Sequence, residues 1–230
     1  MDCLTIGKRS LYRFISDEAK TNMYVLTENS RALVVDPHLS DDAIIFLKQQ
    51  GIVECTLLLT HEHSDHTCGI PEFEKYFTLN VICQQACAES IATPDNGQLS
   101  LTVAMFSIQD SKNGTRTVES FLEKYQAFEY QADITFKSTF EWIWQQEKFV
   151  FTATPGHSRG GCCICWHDTA IFTGDSLMVS IPVITRFPGG NTRDYETKTL
   201  PFLRTLDQNL VALPGHGEIF RLGDAVERAV

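Results

Sequence analysis

Short apolar segments alternate with polar turns over the first third of the chain, a pattern typical of β-strands joined by tight turns. The strands predicted in this part are residues 11–15, 23–27 and 31–36, with the turn Glu28-Asn29-Ser30 between the last two. Residues 41–50 instead repeat apolar side chains at helical spacing and stop at Gly51, which predicts a helix.

Helices and strands alternate irregularly along the rest of the chain. The further predicted helices are 71–77, 84–92 and 195–206, with 117–128 as a candidate. The further predicted strands are 55–60, 79–83, 134–138, 149–153, 163–167, 170–173 and 210–213. The stretch 93–132 carries the weakest pattern. Several strands follow one another directly, so the sequence predicts a mixed α/β (α+β) sandwich rather than a doubly wound parallel sheet. We expect one domain over residues 1–230.

Composition and charge narrow the classes of function. The chain has 43% hydrophobic and 21% charged residues and a net charge of −10. An acidic chain is a poor partner for nucleic acid or an anionic membrane. No apolar stretch approaches the roughly 20 residues of a membrane span, and the N-terminus lacks the pattern of a secretory signal. We therefore expect a cytoplasmic protein that acts on a small molecule, with no nucleic-acid or membrane partner; its oligomeric state stays open.

The eight cysteines are scattered along the chain. Without a secretory signal, reduced thiols are expected. Cys162, Cys163 and Cys165 resemble a zinc knuckle at first sight. In a strand, however, Cys163 and Cys165 share one face and Cys162 lies on the other, so we expect small buried hydrophobic side chains.

Metal-binding types of side chain follow the ends of five apolar segments. They are Asp36, His61, His63, Asp65, His66, His157, Asp175 and His216. Loops at strand ends are where a rigid scaffold places functional groups, so these side chains are expected to converge at one edge of the sandwich. Imidazole suits zinc and other divalent transition metals, and carboxylates add negative charge. Seven such groups, with Asp36 set aside, are too many for one tetrahedral ion and suit two ions about 3.5–4 Å apart.

The segment His61-Glu62-His63-Ser64-Asp65-His66 resembles the HxHxDH signature of the metallo-β-lactamase superfamily. The later segments TPGHS, FTGDS and LPGHG resemble its remaining motifs, in the same order. The resemblance implies a four-layer αββα sandwich of two mixed sheets flanked by helices, with the metals at one edge. It implies three sets of ligands: His61, His63 and His157 for a first metal, Asp65, His66 and His216 for a second, and Asp175 as a bridge. Asp36 resembles the acid that orients a ligand histidine without binding metal.

Details of the motifs separate branches of this superfamily. β-Lactamases of this fold usually carry Cys or Ser where Asp175 stands, and flavodiiron proteins carry Glu where His63 stands. The chain is most similar to glyoxalase II-like thioesterases. Because 14 residues follow His216, the helical segment with which glyoxalase II binds glutathione is not expected.

We therefore expect a dinuclear hydrolase that cleaves an ester or thioester bond of a small molecule with a metal-bound hydroxide. Asp65 and Asp175 are the candidate catalytic carboxylates. Zinc is the first expectation for the two ions, and iron or manganese would also suit the ligands.

Three alternatives stay open. A persulfide dioxygenase would use a single iron. A lactonase would act on acyl-lactones, with the phenol of Tyr195 as a candidate group. A binding protein would keep the metals without catalysis.

Other residues have simpler expected roles: His38 and His167 as ordinary histidines, Arg159, Arg186 and Arg193 as surface residues, and the aromatic stretch 121–136 as core rather than lid.

Overall fold

The computed structural model describes residues 1–93 and 99–227. The first of two sheets contains seven strands in sequence order. They are β1 (Asp2–Ile6), β2 (Arg9–Ile15), β3 (Asn22–Glu28), β4 (Arg31–Val35), β5 (Glu54–Leu58), β6 (Thr78–Gln84) and β7 (Ile134–Phe136). Strands β1 to β4 pair antiparallel, and β4 to β7 pair parallel. The carboxyl ends of β4 and β5 therefore lie side by side.

The second sheet contains six strands in the order β13-β12-β11-β10-β9-β8. They are β8 (Thr139–Trp144), β9 (Glu147–Ala153), β10 (Cys162–Trp166), β11 (Ala170–Gly174), β12 (Val211–Pro214) and β13 (Phe220–Arg221). Only β11 and β12 pair parallel among these described strands. Their carboxyl ends consequently meet at the same edge.

Helices connect the strands and cover the outer faces of the sheets. They are α1 (Asp41–Gln49), α2 (Ser64–Thr67), α3 (Ile70–Glu74), α4 (Gln85–Ile91), α5 (Leu99–Asn113), α6 (Thr117–Lys124), α7 (Thr192–Asp194), α8 (Leu200–Thr205) and α9 (Leu222–Val226). A π-helical stretch, Tyr195–Thr199, joins α7 to α8. Among the described residues, no helix has both the length and the apolar character that crossing a lipid bilayer requires.

Strand β4 shows how the layers are built. Ala32 and Val34 pack with residues of α1, α3 and α4, whereas Leu33 and Val35 pack into the core between the two sheets. Side chains alternate between the faces of a strand, so a strand that is apolar at every position is buried on both sides. A further apolar cluster joins the second sheet to α8 and α9. These layers confirm the predicted four-layer αββα sandwich.

The structure corrects several element predictions. The edge strands β1, β8 and β13 were not predicted. The stretch 93–132 contains α5, which was not predicted, and α6, which confirms the candidate helix at 117–128 and ends at Lys124; residues 94–98 lie outside the described residues. The strand predicted at 31–36 ends at Val35 because Asp36 has a left-handed backbone, with φ of 55°. The prediction of one domain over 1–230 stays a prediction. All eight cysteines are free, and Cys162 and Cys163 lie buried on opposite faces of β10, as expected.

Candidate metal centre

The HEHSDH segment occupies the turn between β5 and α2. His61 and His63 lie in the loop, and Asp65 and His66 lie in the first turn of α2, for which His63 is the N-cap residue. A loop followed at once by a helix turns these four side chains toward one region. The remaining groups come from the second sheet: His157 follows β9, Asp175 follows β11 and His216 follows β12.

Three imidazoles converge in a first cluster, made of His61, His63 and His157. The Nδ1 atom of His63 lies 3.1 Å from Nε2 of His61 and 3.0 Å from Nε2 of His157. Two nitrogens that bind one tetrahedral zinc ion at 2.0–2.1 Å are about 3.4 Å apart. The spacing of these three nitrogens is therefore close to that of ligands around a single ion.

A second cluster is made of Asp65, His66 and His216. Nε2 of His66 lies 3.3 Å from Nε2 of His216, and Oδ2 of Asp65 lies 3.5 Å and 3.3 Å from these two nitrogens. The ligand atoms of each cluster all lie within 4.8 Å of one another. The structure thus brings together the two triads that the resemblance to the superfamily implied.

Asp175 lies between the two clusters. Its Oδ2 atom is 3.5 Å from Nε2 of His157 in the first cluster and 3.5 Å from Nε2 of His216 in the second. Its Oδ1 atom is 3.6 Å from Nε2 of His66, is buried and has no hydrogen-bond partner in the described part of the chain. A buried carboxylate oxygen without a donor is costly unless a cation compensates it.

Asp36 holds two of the histidines in orientation. Its carboxylate accepts hydrogen bonds from the amide (2.8 Å) and the hydroxyl (2.7 Å) of Thr60 and lies 3.0 Å from Nδ1 of His66. The Thr60 hydroxyl in turn lies 3.0 Å from Nδ1 of His61. These contacts leave the Nε2 atoms of both imidazoles directed at the clusters, the arrangement typical of a metal-ligating histidine.

Glu62 has a role that the sequence analysis missed. This side chain is 3% exposed, and its carboxylate accepts hydrogen bonds from the hydroxyl of Ser158 (3.0 Å) and the amide of Gly160 (3.1 Å). It thereby ties the HEHSDH loop to the loop that carries His157. Nδ1 of His157 also contacts the carbonyl oxygen of Ile184 at 2.8 Å. The only local signal was an acidic residue between two candidate ligands.

The loop that carries His216 is fixed by strand β3 of the other sheet. The Asn22 amide donates to the carbonyl oxygen of Gly215 (2.7 Å), and the Asn22 side chain and the Tyr24 hydroxyl both donate to the Pro214 carbonyl oxygen. A β-bridge joins Thr21 to His216. Both sheets therefore contribute to the position of this histidine.

The turn at Gly215 has no room for a side chain. A Cβ atom there would lie 2.3 Å from Oδ1 of Asp175 and 2.6 Å from Cε1 of His66. Glycine lets the backbone approach the clusters this closely.

Burial and neighbouring charges shift the pKa values of the histidines in opposite directions in the two clusters. Burial lowers the pKa of His63 to about 3, and burial followed by the neighbouring imidazoles lowers the pKa of His61 well below its ordinary value. These imidazoles are neutral and have lone pairs to donate. Burial alone would also lower the pKa of His66, but the carboxylates of Asp65 and Asp175 raise it to about 10. The second cluster therefore favours positive charge.

The donor set fits metal ions. The first cluster offers three imidazole nitrogens at ligand spacing, and the second adds a carboxylate where the surroundings favour a cation. Burial tends to raise the pKa of Asp65 and of Asp175, yet nearby imidazoles hold both below the ordinary value, so both are ionised and available as ligands.

A cavity of about 400 Å³ opens over the two clusters. Its floor contains His63, Asp65, His157, Asp175 and His216. One wall is α5, and the other is the segment 178–187. This volume lies within the roughly 300–1,000 Å³ of small-molecule sites. The arrangement can accept a small molecule directly above the ligand-type groups.

The other residues considered from the sequence lie elsewhere. Tyr195 is buried, and its hydroxyl donates to the carbonyl oxygen of Ser176 (3.1 Å) rather than lining the cavity. His38 is buried between backbone carbonyls, and His167 lies half-exposed beside Glu147. Arg159, Arg186 and Arg193 are likewise not among the residues that line the cavity.

Comparison with known proteins gives a consistent result. The sequence model of the metallo-beta-lactamase superfamily matches residues 17–216. A Streptococcus pyogenes protein named "Probable metallo-hydrolase" is 28% identical over 90% of this chain and 83% of its own length. The hydroxyacylglutathione hydrolase of Aliivibrio salmonicida is 24% identical over 84% of this chain, but the match spans 56% of that protein.

Two solved structures share the fold. The BLEG-1 B3 metallo-beta-lactamase superposes with a TM-score of 0.70 at 22% identity, over 93% of this chain and 95% of that one. The di-iron-bound form of TTHA1623 superposes with a TM-score of 0.69 at 18% identity, over 93% of this chain and 96% of that one. At these identities the likeness shows the common fold.

Proposed function

Because the chain belongs to the metallo-beta-lactamase superfamily, we propose that it is a dinuclear metal-dependent hydrolase that cleaves an ester or thioester bond of a small molecule. The observation that carries this proposal is the position of Asp175, which lies within 3.6 Å of ligand nitrogens in both clusters. A carboxylate in this position could bind two ions at once, one with each cluster. A single-ion site would leave one of the two clusters without a role.

The proposed ligands are those of the two clusters. His61, His63 and His157 would hold the first ion, Asp65, His66 and His216 the second, and Asp175 both. Zinc suits this set of nitrogen and carboxylate donors, as do iron and manganese. The di-iron form of TTHA1623 supports the view that a protein of this fold can hold two ions.

Two bound divalent ions supply Lewis-acid polarisation of an acyl carbonyl and a water of lowered pKa at neutral pH. The residues of the chain prepare this chemistry. Asp36 and Thr60 keep the imidazoles of His61 and His66 in the orientation in which Nε2 is free to bind. Asp65 lines the cavity, so its carboxylate can orient the attacking water.

The thioester preference is the finer part of the proposal. It is supported by the hydroxyacylglutathione hydrolase among the relatives, together with the TPGHS and FTGDS segments. A thiolate leaves with little help from a proton donor, and the described cavity residues offer few acidic donors for an alkoxide. We therefore expect thioesters to be cleaved faster than oxygen esters of the same acyl group.

The test combines metal analysis with turnover. Protein purified without added metal or chelator should contain close to two ions per chain and should hydrolyse members of an ester and thioester panel. Asp175→Ala and His61→Ala should lose one or both ions and most of the activity. His167→Asn, which changes a histidine outside the clusters, should keep both. Wild-type turnover in purified Asp175→Ala would contradict the assignment.

Three other outcomes would replace the proposal. One iron per chain with oxygen uptake on a persulfide would indicate the dioxygenase. Cleavage of acyl-lactones alone would indicate the lactonase. Two ions per chain with no turnover on the whole panel would indicate a binding protein. Failure to take up metal even after reconstitution would remove the basis of all of them.

A further inference from the structure

Helix α5 packs against the protein on one face, whose residues Thr102 and Phe106 also reach the cavity, and carries a second, more exposed apolar stripe. Thr102 and Phe106 are buried, and Phe106 packs with Cys68 and Phe121. Leu101, Met105 and Ile108 are spaced by four and three residues, so they form a stripe on another side of the helix. All three line the cavity over the metal centre. The side chains of Met105 and Ile108 are 41% and 52% exposed.

The wall opposite α5 is also apolar. It is formed by Met178, Ile181, Pro182, Ile184 and Phe187. Within it, Ile181 is 42% and Ile184 38% exposed. Nδ1 of His157 contacts the carbonyl oxygen of Ile184, so this wall is joined directly to the first cluster. The apolar surface is therefore continuous with the candidate catalytic groups.

Four of the eleven large hydrophobic side chains that are exposed in the described residues meet in this one cavity. Single exposed apolar residues are common on protein surfaces, but several that face each other across a cleft indicate a binding site. The cavity floor is polar and charged, whereas the segment 178–187 is apolar and α5 contributes an apolar stripe beside the polar side chains of Thr102 and Gln109. A ligand that matches both features has a polar reactive group at one end and a hydrocarbon chain beside it.

We propose that the substrate carries a hydrocarbon chain of several carbons next to the scissile bond, and that this chain lies between the α5 stripe and the segment 178–187. The inference rests on the proposed hydrolase function and names its substrate class. The wall formed by α5 ends in two polar residues, Lys112 and Asn113. The chain can belong to the acyl group or to the leaving group, since both flank the same carbonyl carbon.

The expected effect follows from the burial of methylene groups. A fully buried methylene strengthens binding about fourfold. The walls are partly exposed to solvent, so about twofold per methylene is expected here. Extension from a four-carbon to an eight-carbon chain should then raise kcat/KM about 15-fold. Most of this change should appear in KM, because the contacts are equally present in the ground state and in the transition state.

The experiment uses the metal-loaded full chain and two series of thioesters. In the first series, acyl groups of two to ten carbons are joined to N-acetylcysteamine; in the second, acetyl is joined to alkyl thiols of two to ten carbons. Released thiol is measured for each. A rising kcat/KM in either series supports the inference and identifies the side that carries the chain. Turnover that is flat or falls with chain length in both series would overturn it.

Variants locate the chain on the two walls. Ile108→Ser and Ile181→Ser, one on each wall, should each lower the ratio of kcat/KM for eight-carbon over two-carbon substrates at least threefold. The matched control is Ile143→Ser on β8, because Ile143 is 68% exposed and does not line the cavity. Its ratio should equal that of the parent. An unchanged ratio in both wall variants would place the chain elsewhere.

A binding measurement separates failure of this inference from failure of the proposed function. Calorimetry with 1-butanol and 1-octanol requires no turnover. Tighter binding of octanol that weakens in Ile108→Ser, with no ester or thioester cleaved, would support the apolar site and contradict the hydrolase. Thioester cleavage without chain-length preference and without octanol binding would support the hydrolase and overturn the apolar site.

Discussion

Replacement of Glu62 tests how the loop that carries His157 is held against the HEHSDH loop. The carboxylate is 3% exposed and accepts hydrogen bonds from Ser158 and Gly160. In Glu62→Leu both acceptors are removed, and a buried hydroxyl and a buried amide lose their partner. Each such loss costs about 1–3 kcal/mol, so the two together should destabilise the variant by about 2–6 kcal/mol.

Glutamine provides a graded comparison. In Glu62→Gln the amide oxygen can still accept hydrogen bonds from both Ser158 and Gly160. The negative charge is lost, however, and an NH2 group replaces Oε1, which lies 3.3 Å from the Gly160 amide in the parent. Hydrogen bonds to a charged group are stronger than neutral ones, so we expect a loss of about 1–2 kcal/mol. For a protein of 230 residues, this corresponds to a decrease in Tm of roughly 2–8 °C.

Urea unfolding at equilibrium measures these losses. The midpoint should fall in the order parent, Glu62→Gln, Glu62→Leu, with an unchanged m value. Metal titration should show weaker binding at the first cluster, since residues that support metal ligands typically affect affinity about 10–100-fold. The control is Glu123→Gln, an exposed glutamate on α6, which should stay within about 0.5 kcal/mol of the parent. A stability of Glu62→Leu within that same range would refute the reasoning.

Three further predictions follow from the same structure. Removal of metal by a chelator should lower Tm, and added zinc should restore it, because an ion that binds only the folded chain stabilises it by about 4 kcal/mol at a thousand times its Kd; no change in Tm would contradict the metal site. Gly215→Ala should reduce metal content, because the added Cβ would lie 2.3 Å from Oδ1 of Asp175; elemental analysis measures this. Glu18→Gln should destabilise the protein near neutral pH and have a diminishing effect in acid. Burial tends to raise the pKa of Glu18, but the hydrogen bond from Lys124 lowers it overall.

The sign of the Glu18 effect follows from linkage. A carboxyl group whose pKa is lower in the folded state stabilises it above the unfolded pKa, and this contribution is lost as the pH falls through the folded pKa. The difference in unfolding free energy between the parent and Glu18→Gln should therefore shrink below about pH 4. A difference that grows in acid would contradict the ion pair.

For Gly215→Ala, the control is Gly223→Ala, where the nearest contact of the added Cβ is the side chain of Gln208 at 3.2 Å.

The convergence of ligand-type residues was predictable from local sequence. Each of His61, His157, Asp175 and His216 follows an apolar segment closely, and the order of strand and loop decides where the side chain is placed. The glycine next to His216 was also an informative local signal, because the close approach of Gly215 to Asp175 needs a residue without a side chain. Residue type and distance from a strand end were sufficient here.

Contacts between distant parts of the chain were not predictable in this way. Glu62 is held by Ser158 and Gly160, almost 100 residues later, and Asn22 holds a loop 192 residues later. Such partners leave no periodic signal in a single sequence. Helix α5 escaped prediction for a different reason. Its apolar residues surround most of the helix, because one face packs on the protein and another lines the cavity, so no single amphipathic stripe was visible.

The edge strands show a third limit. Strand β8 alternates regularly, with Phe140, Trp142 and Trp144 turned inward and Ile143 exposed. Ile143 is exposed but as apolar as its inward neighbours Trp142 and Trp144, so the alternation is not visible in the sequence. In strand β1 only Ile6 is buried, so its sequence shows no apolar alternation.

The attachment of the His216 loop to β3 has a consequence for the order of events during biosynthesis. The hydrogen bond from Tyr24 to Pro214 spans 190 residues. Ribosomes release the N-terminal part of a chain first, so the HEHSDH loop emerges long before its partners from the second sheet. A nascent chain offers an incoming ion only part of the first triad until His157 has emerged, and only part of the second until His216 has emerged. The complete centre can therefore bind its ions only after the segment that carries His216 has left the ribosome, long after the HEHSDH loop.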